Sequence, residues 1–250
     1  MKNNFYNNYN ILNLYKIKSV NSEISTQILY GEKFKLIQKG NKWWKVKLLN
    51  DGYIGYISKK KFIKKFSPTH KIFNLKANIY KNYNKNYLYK KKLTFGSKIS
   101  LIKRKNKMVQ FEKNKWIQES DIKLIKYKSK NYFIYAKKFI GSKYKWGGKS
   151  YRGIDCSALV QLLLNFNNKF CPRDTKDQIK YFKKQIKIHN IIQNDLIFWK
   201  GHVAIIMKKN KLIHAYGPYK KVILMNIKKT IKKILLTAHL KVTHIKRIYK

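Results

Sequence analysis

At 250 residues the chain has room for one large domain or two to three small ones, and a hydrophobic fraction of 44% excludes a globally disordered polymer. Lys and Arg number 59 against 10 Asp and Glu, a formal net charge of +49, which raises the question of a polyanion partner or an anionic surface. Two Cys spaced 15 residues apart make neither a disulfide framework nor a zinc site, so no metal or cofactor is expected.

The Lys residues are spread along the chain, beside heavy use of Asn, Ile, Tyr and Phe. Charge spread in that way makes a general field rather than a site, and compositional drift explains it better than a nucleic-acid ligand. No run of 18 apolar residues occurs, so no membrane span is expected. The opening "MKNNFYNNYNILNLYKIKSV" lacks an uninterrupted apolar core and a small-residue cleavage site. A reducing, cytoplasmic setting is therefore the expectation, with export to the cell envelope as the alternative.

In chain order, the first half contains a repeat. Gly31 to Val46 reads "GEKFKLIQKGNKWWKV" and Gly96 to Phe111 reads "GSKISLIKRKNKMVQF". At a constant offset of 65, Gly31/Gly96, Lys33/Lys98, Leu36/Leu101, Ile37/Ile102, Asn41/Asn106 and Lys42/Lys107 are identical. Two copies of one small unit explain this better than chance. Each unit reads as β: Trp44, Val46 and Leu48 alternate with Lys45 and Lys47, between the turn pairs Gly40-Asn41 and Asp51-Gly52. Short strands closed by tight turns predict a small barrel. "GEKFKLIQKGNKWWKVKLLNDGYIGYI" resembles the bacterial SH3-like domain; the second copy, ending "NKWIQESDI", is a looser match.

From about Tyr127 the pattern changes. "YFIYAKKFI" has apolar residues at helical spacing before a stop at Gly141, and Cys156 to Phe166 predicts a second helix with Asp155 as its N-cap. A further helix is expected from Thr175. Strand-like runs follow: "DLIFW", "HVAIIM", "KLIHAY" and "KVILMNI". Helices first and strands after, without βαβ alternation, predict an α+β domain. The expected division is 1–66 and 67–126 for two SH3-like domains and 127–250 for the α+β domain.

Cys156 opens a helix, where the dipole lowers a thiol pKa and an activated thiol should alkylate well below the pH that an ordinary thiol needs. A nucleophilic Cys also needs a base with an orienting partner. His202 and His214 lie in adjacent strand-like runs joined by the polar "KKNK". With a plain two-residue loop at Lys209-Asn210, His214 would pair opposite Ile205 and the two His would face opposite ways. A three-residue loop or a bulge brings His214 opposite Ala204, on the face of His202. Cooperation of the two His therefore requires that irregularity.

"GSKYKWGGKSYRGIDCSALVQ", "CPRDTKDQ" and "NDLIFWKGHVAIIMKKNKLIHA" together resemble the NlpC-like family of papain-related cysteine peptidases, over about Gly141 to Ala215. The resemblance implies a papain-like catalytic domain that cuts bacterial murein stem peptides after γ-linked D-glutamate. It implies Cys156 as nucleophile, His202 as general base and acid, and His214 as the residue orienting His202. It also implies Tyr144 as an oxyanion donor beside the Cys156 amide. In a subset with amino-terminal SH3-like domains, an Asp-Ser pair binds the free amine of the peptide's L-alanine; here the matching residues are Asp174 and Thr175. Asp155 and Ser157 are further candidates for substrate contact, although Asp155 is read first as a helix cap and Asp174 equally as a cap for the helix at Thr175. One departure is Ala158, where the family usually has Gly.

Cys171 reads as a buried structural thiol, and His70, His189, His239 and His244 as ordinary residues without partners. Asp195 reads as a turn residue, and Trp43-Trp44 as barrel core and edge. A monomer with a murein peptide as its partner is expected, and a non-catalytic polyanion- or wall-binding module is the competing reading.

Overall fold

The computed structural model describes residues 3–208 and 210–248. Two compact units divide it: 1–127 with 149–151, and 128–148 with 152–250.

The first unit begins with β1 (Asn4–Tyr6), β2 (Ile11–Tyr15), β3 (Ile24–Leu29), β4 (Lys33–Lys39), β5 (Trp43–Leu48) and β6 (Ile54–Ser58). They form one six-stranded sheet in the order β1-β4-β5-β6-β2-β3. The alternation read at Trp44, Val46 and Leu48 is the buried face of β5, packed with Phe5, Leu14, Ile28, Phe34 and Ile57. The unit continues with β7 (His70–Ile72), β8 (Lys76–Tyr80), β9 (Leu88–Thr94), β10 (Lys98–Ile99), β11 (Lys103–Lys105), β12 (Met108–Glu112), β13 (Lys115–Gln118) and β14 (Ile122–Leu124). These split into a three-stranded sheet, β10-β7-β14, and a five-stranded one, β11-β12-β13-β8-β9.

The 65-residue offset survives in three dimensions where the chain is tightest. Gly31 and Gly96 both take a left-handed φ, +77° and +83°, and β5 and β12 begin at the equivalent positions Trp43 and Met108. A β-carbon on Gly31 would stand 2.3 Å from the Lys98 carbonyl oxygen, so only glycine fits there. The expectation of two small SH3-like barrels is not confirmed. Among the described residues, no ladder joins the edges β1 and β3. The second copy lacks the Asp-Gly turn of the first and breaks into two sheets instead. Tyr30, from the first copy, inserts into the core of the second, beside Ile72, Phe111 and Ile117, and donates its hydroxyl to Glu112.

The short strand β15 (Lys149–Ser150) belongs to this first unit. Its Lys149 is buried, with its ammonium 2.9 Å from each oxygen of Glu32. Glu32 also accepts from the Leu29 amide at 2.7 Å, and the Lys149 amide donates to Gln27 Oε1 at 2.9 Å. The Glu of the Gly-Glu opening is thus an internal counter-ion.

The second unit contains β16 (Gly153–Ile154), α1 (Cys156–Phe166), α2 (Thr175–Tyr181), β17 (Lys184–Gln185), β18 (Leu196–Trp199), β19 (His202–Lys208), β20 (Lys211–Tyr216), β21 (Lys221–Asn226), α3 (Ile227–Ala238) and β22 (His244–Arg247). Its six-stranded antiparallel sheet runs β17-β22-β18-β19-β20-β21. The helix expected in "YFIYAKKFI" is a 3₁₀ segment, Ile134–Phe139. Phe133, Ala136 and Phe139 are the buried residues; their spacing of three is the 3₁₀ period, and no side chain caps the start. Helix α3 is unforeseen: "KVILMNI" stops being strand at Asn226, whose side chain caps the helix by accepting from the Lys229 amide at 3.1 Å.

Removing one partner of a buried ion pair strands the other charge and typically costs about 3–5 kcal/mol. Glu32→Gln should therefore lower the free energy of unfolding by about 3 kcal/mol, with Lys149→Met in that background recovering part of the loss. Urea titration of the full chain measures both; a Glu32→Gln cost within experimental error of zero would refute the structural role of the pair.

Candidate active site

Helix α1 begins at Cys156 because Asp155 ends the preceding strand in extended conformation and caps it, accepting from the Ala158 amide at 2.8 Å. The same carboxylate accepts from the Gly147 amide at 2.9 Å, from the Ser157 hydroxyl at 3.2 Å, and from both terminal nitrogens of Arg173. Arg173 in turn donates to Ser157 Oγ at 2.8 Å. Gln178 of α2 ties the same region, donating to the Ser157 and Pro172 carbonyls at 3.0 Å. Asp155, Ser157 and Arg173 are all buried. The polar atoms of Asp155 and Ser157 named as candidate substrate contacts therefore have internal partners. Arg173 was not singled out from sequence, although its place beside Asp174 in "CPRDT" was visible.

The hairpin register comes out as the chemistry requires. Ile205 pairs with Ile213 and Ile206 with Leu212, but Lys208 pairs with Lys211, so Met207 is bulged out. Lys209, half of the anticipated loop, lies outside the described residues. The bulge brings Ala204 level with His214 and puts both His on one face. His202 Nε2 lies 2.8 Å from His214 Nδ1, and His214 Nε2 lies 3.4 Å from the Met225 sulfur. Aromatic rings enclose the pair: Tyr216 stacks on His214 at 4.8 Å between ring centres, and Trp199 lies 5.5 Å from His202. Burial pushes His202 down to about 4, and burial followed by the His202 charge pushes His214 well below the usual imidazole range. Both rings are therefore neutral near pH 7.

The backbone of Val203, the neighbour of His202, and that of Ser157 act on the Cys156 thiol in the direction that favours the thiolate. Arg173 acts in the same direction. They lose to burial, the largest effect, reinforced by the negative charge of Asp155, and the thiol is pushed up to about 12. The depressed pKa anticipated from the helix start is thus corrected: the carboxylate that caps the helix also opposes a thiolate at its first residue. Tyr144 is half-buried and held by its amide, which donates to the Lys220 carbonyl at 2.8 Å. Burial, then the charges of Cys156 and Asp155, keep its hydroxyl protonated and able to donate.

Asp174 and Thr175 lie next to Arg173, both half-buried, at the start of α2. The Asp174 backbone has N-cap geometry, but its side chain makes no capping bond. Cys171 is buried and reduced, with its thiol on the Pro172 carbonyl at 3.4 Å. Among the described residues, no group of three His, Cys, Asp or Glu side chains is arranged to hold a metal ion.

Residues 141–240 match the profile of the NlpC/P60 family, and residues 14–62 that of the bacterial dipeptidyl-peptidase SH3 domain. A gamma-D-glutamyl-L-lysine dipeptidyl-peptidase from Bacillus subtilis is 26% identical over 234 residues, 83% of this chain and 77% of the relative. Dipeptidyl-peptidase 6 of Lysinibacillus sphaericus is 36% identical over 80 residues, 32% of this chain and only 30% of that protein's length. Among solved structures, an NlpC/P60 family protein from Bacillus cereus superposes with a TM-score of 0.81, covering 99% of this chain and 100% of that one at 17% identity. That likeness establishes the fold: mixed α/β NlpC/P60 with an N-terminal SH3-like domain.

A buried neutral thiol gains thiolate tenfold with each pH unit up to its pKa. Alkylation of Cys156 by iodoacetamide in the ligand-free protein should therefore still be rising between pH 8 and 10. A rate already level by pH 7 would contradict the neutral thiol.

Proposed function

We propose that the chain is a thiol hydrolase acting on murein stem peptides, because residues 141–240 match the NlpC/P60 family, a family of cysteine peptidases, and residues 14–62 match the bacterial dipeptidyl-peptidase SH3 domain. The finer reading is cleavage of the bond between γ-D-glutamate and the diamino acid in released peptides with a free N-terminal L-alanine. The observation that carries it is the 2.8 Å contact of His202 with His214, beside a helix that starts at Cys156.

His202 Nε2 is engaged by His214, which leaves Nδ1 as the atom that exchanges protons with the thiol and the leaving group. In this mechanism the Cys156 S–H bond breaks as its proton moves to His202 Nδ1, and the sulfur electron pair attacks the γ-glutamyl carbonyl carbon. The Cys156 amide and the Tyr144 hydroxyl donate to the developing oxyanion. Collapse of the tetrahedral adduct expels the diamino acid's amine, which takes the proton from His202. Water then attacks the thioester, its proton passing to His202 and on to the departing thiolate, and the γ-D-glutamyl carboxylate is released. The neutral resting pair suits this order, because no imidazolium has to persist in a buried site before substrate arrives.

Asp174 and Thr175 supply the acceptors for the substrate ammonium. Asp155 and Ser157 contribute by shaping the cleft wall rather than by contact through their occupied oxygens. A requirement for a free amine suits released fragments rather than glycan-linked stems, so the reading extends to a cytoplasmic recycling enzyme, with an exported one as the alternative. It also takes 67–126 as a second, diverged SH3-like unit between 1–66 and the catalytic region 127–250, and the protein as a monomer.

L-Ala-γ-D-Glu-L-Lys and its meso-diaminopimelate counterpart, each with free and acetylated amine, test this by mass spectrometry. Wild-type protein should cut the free peptides, Cys156→Ala and His202→Ala should lower the rate by at least about 10³-fold, and acetylation should block cleavage. Equal cleavage of free and acetylated peptides would remove the amine role of Asp174 and Thr175. Intact peptides, together with polyanion binding of steep salt dependence, would establish the binding-module reading instead.

A further inference from the structure

We propose that Met225 is a positioning residue: its thioether sulfur fixes the proton positions of His214 and, through it, of His202, so that His202 Nδ1 carries a lone pair. The proposal rests on the thiol-hydrolase reading above for its consequence, but its physical content is the tautomer of two adjoining rings.

A neutral imidazole has one N–H and one lone pair, and which nitrogen carries the proton is decided by its partners. Between His202 Nε2 and His214 Nδ1, 2.8 Å apart, one nitrogen must donate and the other accept, and nothing in that contact alone chooses. The choice is made at the far side of His214. Its Nε2 faces the Met225 sulfur at 3.4 Å, its only hydrogen-bond partner among the described residues. A thioether has no proton, so it can only accept. His214 therefore carries its proton on Nε2 and presents a lone pair at Nδ1; His202 then donates from Nε2, and its Nδ1 is left as an acceptor. The opposite arrangement would set the Nε2 lone pair of His214 against the sulfur lone pairs inside a ring of aromatic side chains, with the proton of His202 on the atom that must receive one.

The sheet supplies the sulfur by register. His214 pairs with Ile223 and Leu212 with Met225 across β20 and β21, so Met225 is the diagonal neighbour of His214 on the same face. It packs against the cluster that includes Leu212, Ile227 and Tyr216, which holds the flexible thioether in one place. When the Cys156 proton arrives at His202 Nδ1, His202 becomes the cation and His214 remains the neutral acceptor, still donating to sulfur. No proton leaves the two rings toward Met225.

The full chain labelled with ¹⁵N-histidine, without substrate at neutral pH, gives the answer directly. Wild-type protein should show a protonated, pyrrole-type Nε2 and an unprotonated Nδ1 on both His202 and His214. Met225→Leu keeps the volume and removes the acceptor; both rings should shift toward tautomer mixtures, and kcat on the free tripeptide should fall about 10-fold with KM little changed. That is far less than the ~10⁴-fold loss seen when a catalytic imidazole is held in the wrong tautomer. Met225→Gln, whose amide oxygen can accept, should restore both the shifts and most of kcat. A proton on His214 Nδ1 in wild-type protein overturns the proposal, whatever the variants do, and so do unchanged tautomers in a folded Met225→Leu. A reversed tautomer in a protein that cuts the peptide defeats this proposal alone. The expected tautomers in a protein that leaves the peptide intact support it while defeating the hydrolase reading.

Discussion

The Asp155 carboxylate is the point on which the catalytic unit depends. Three segments meet it: the glycine turn after Tyr144, through the Gly147 amide; the start of α1, through the Ala158 amide and the Ser157 hydroxyl; and the segment before α2, through Arg173. Helix capping alone is worth about 1 kcal/mol, but loss of one half of a buried, hydrogen-bonded ion pair is worth about 3–5. The larger number governs. Asp155 is better described as the counter-ion of Arg173 that also caps a helix than as a cap that also meets an arginine. Through it, the start of α1 at Cys156, the turn at Gly147 and the Arg173 segment before α2 are tied to one group.

That arrangement has an electrostatic consequence at the sulfur. The carboxylate that fixes where Cys156 sits also disfavours its anion, and Arg173 only partly offsets this. On the other side of the reaction, burial disfavours the imidazolium of His202. Burial thus disfavours both the Cys156 thiolate and the His202 imidazolium.

How far this was legible in the sequence follows from which interactions are local. Helix α1, its Asp155 cap and the four strands from Leu196 to Asn226 follow from spacing and short-range chemistry, and they were read correctly. The hairpin irregularity was legible as a requirement, because strand parity admits only two outcomes for His202 and His214; the bulge at Met207 supplies one residue of slip. The 3₁₀ geometry of Ile134–Phe139 was missed because apolar residues three apart serve either helix type over so short a run. Helix α3 was missed because the apolar run of β21 flows into Ile227; the Asn226 cap and the spacing of Ile227, Thr230 and Ile234 were the available signals. The roles of Arg173, Glu32 and Met225 depend on partners 18, 117 and 11 residues away in the chain, and no local pattern encodes them.

The shortage of acids gives these partnerships a further meaning. Of ten Asp and Glu in the chain, Asp155 is paired with Arg173, Glu32 with Lys149, and Asp195 with Arg247 by two bonds of 2.9 Å; Asp121 accepts from Asn74 at 2.7 Å. Asp155 and Glu32 neutralise the buried cations Arg173 and Lys149 and accept from backbone amides at the same time. The strongly basic exterior follows from the excess of 59 Lys and Arg over 10 Asp and Glu, and a general field of that kind cannot select among anionic partners.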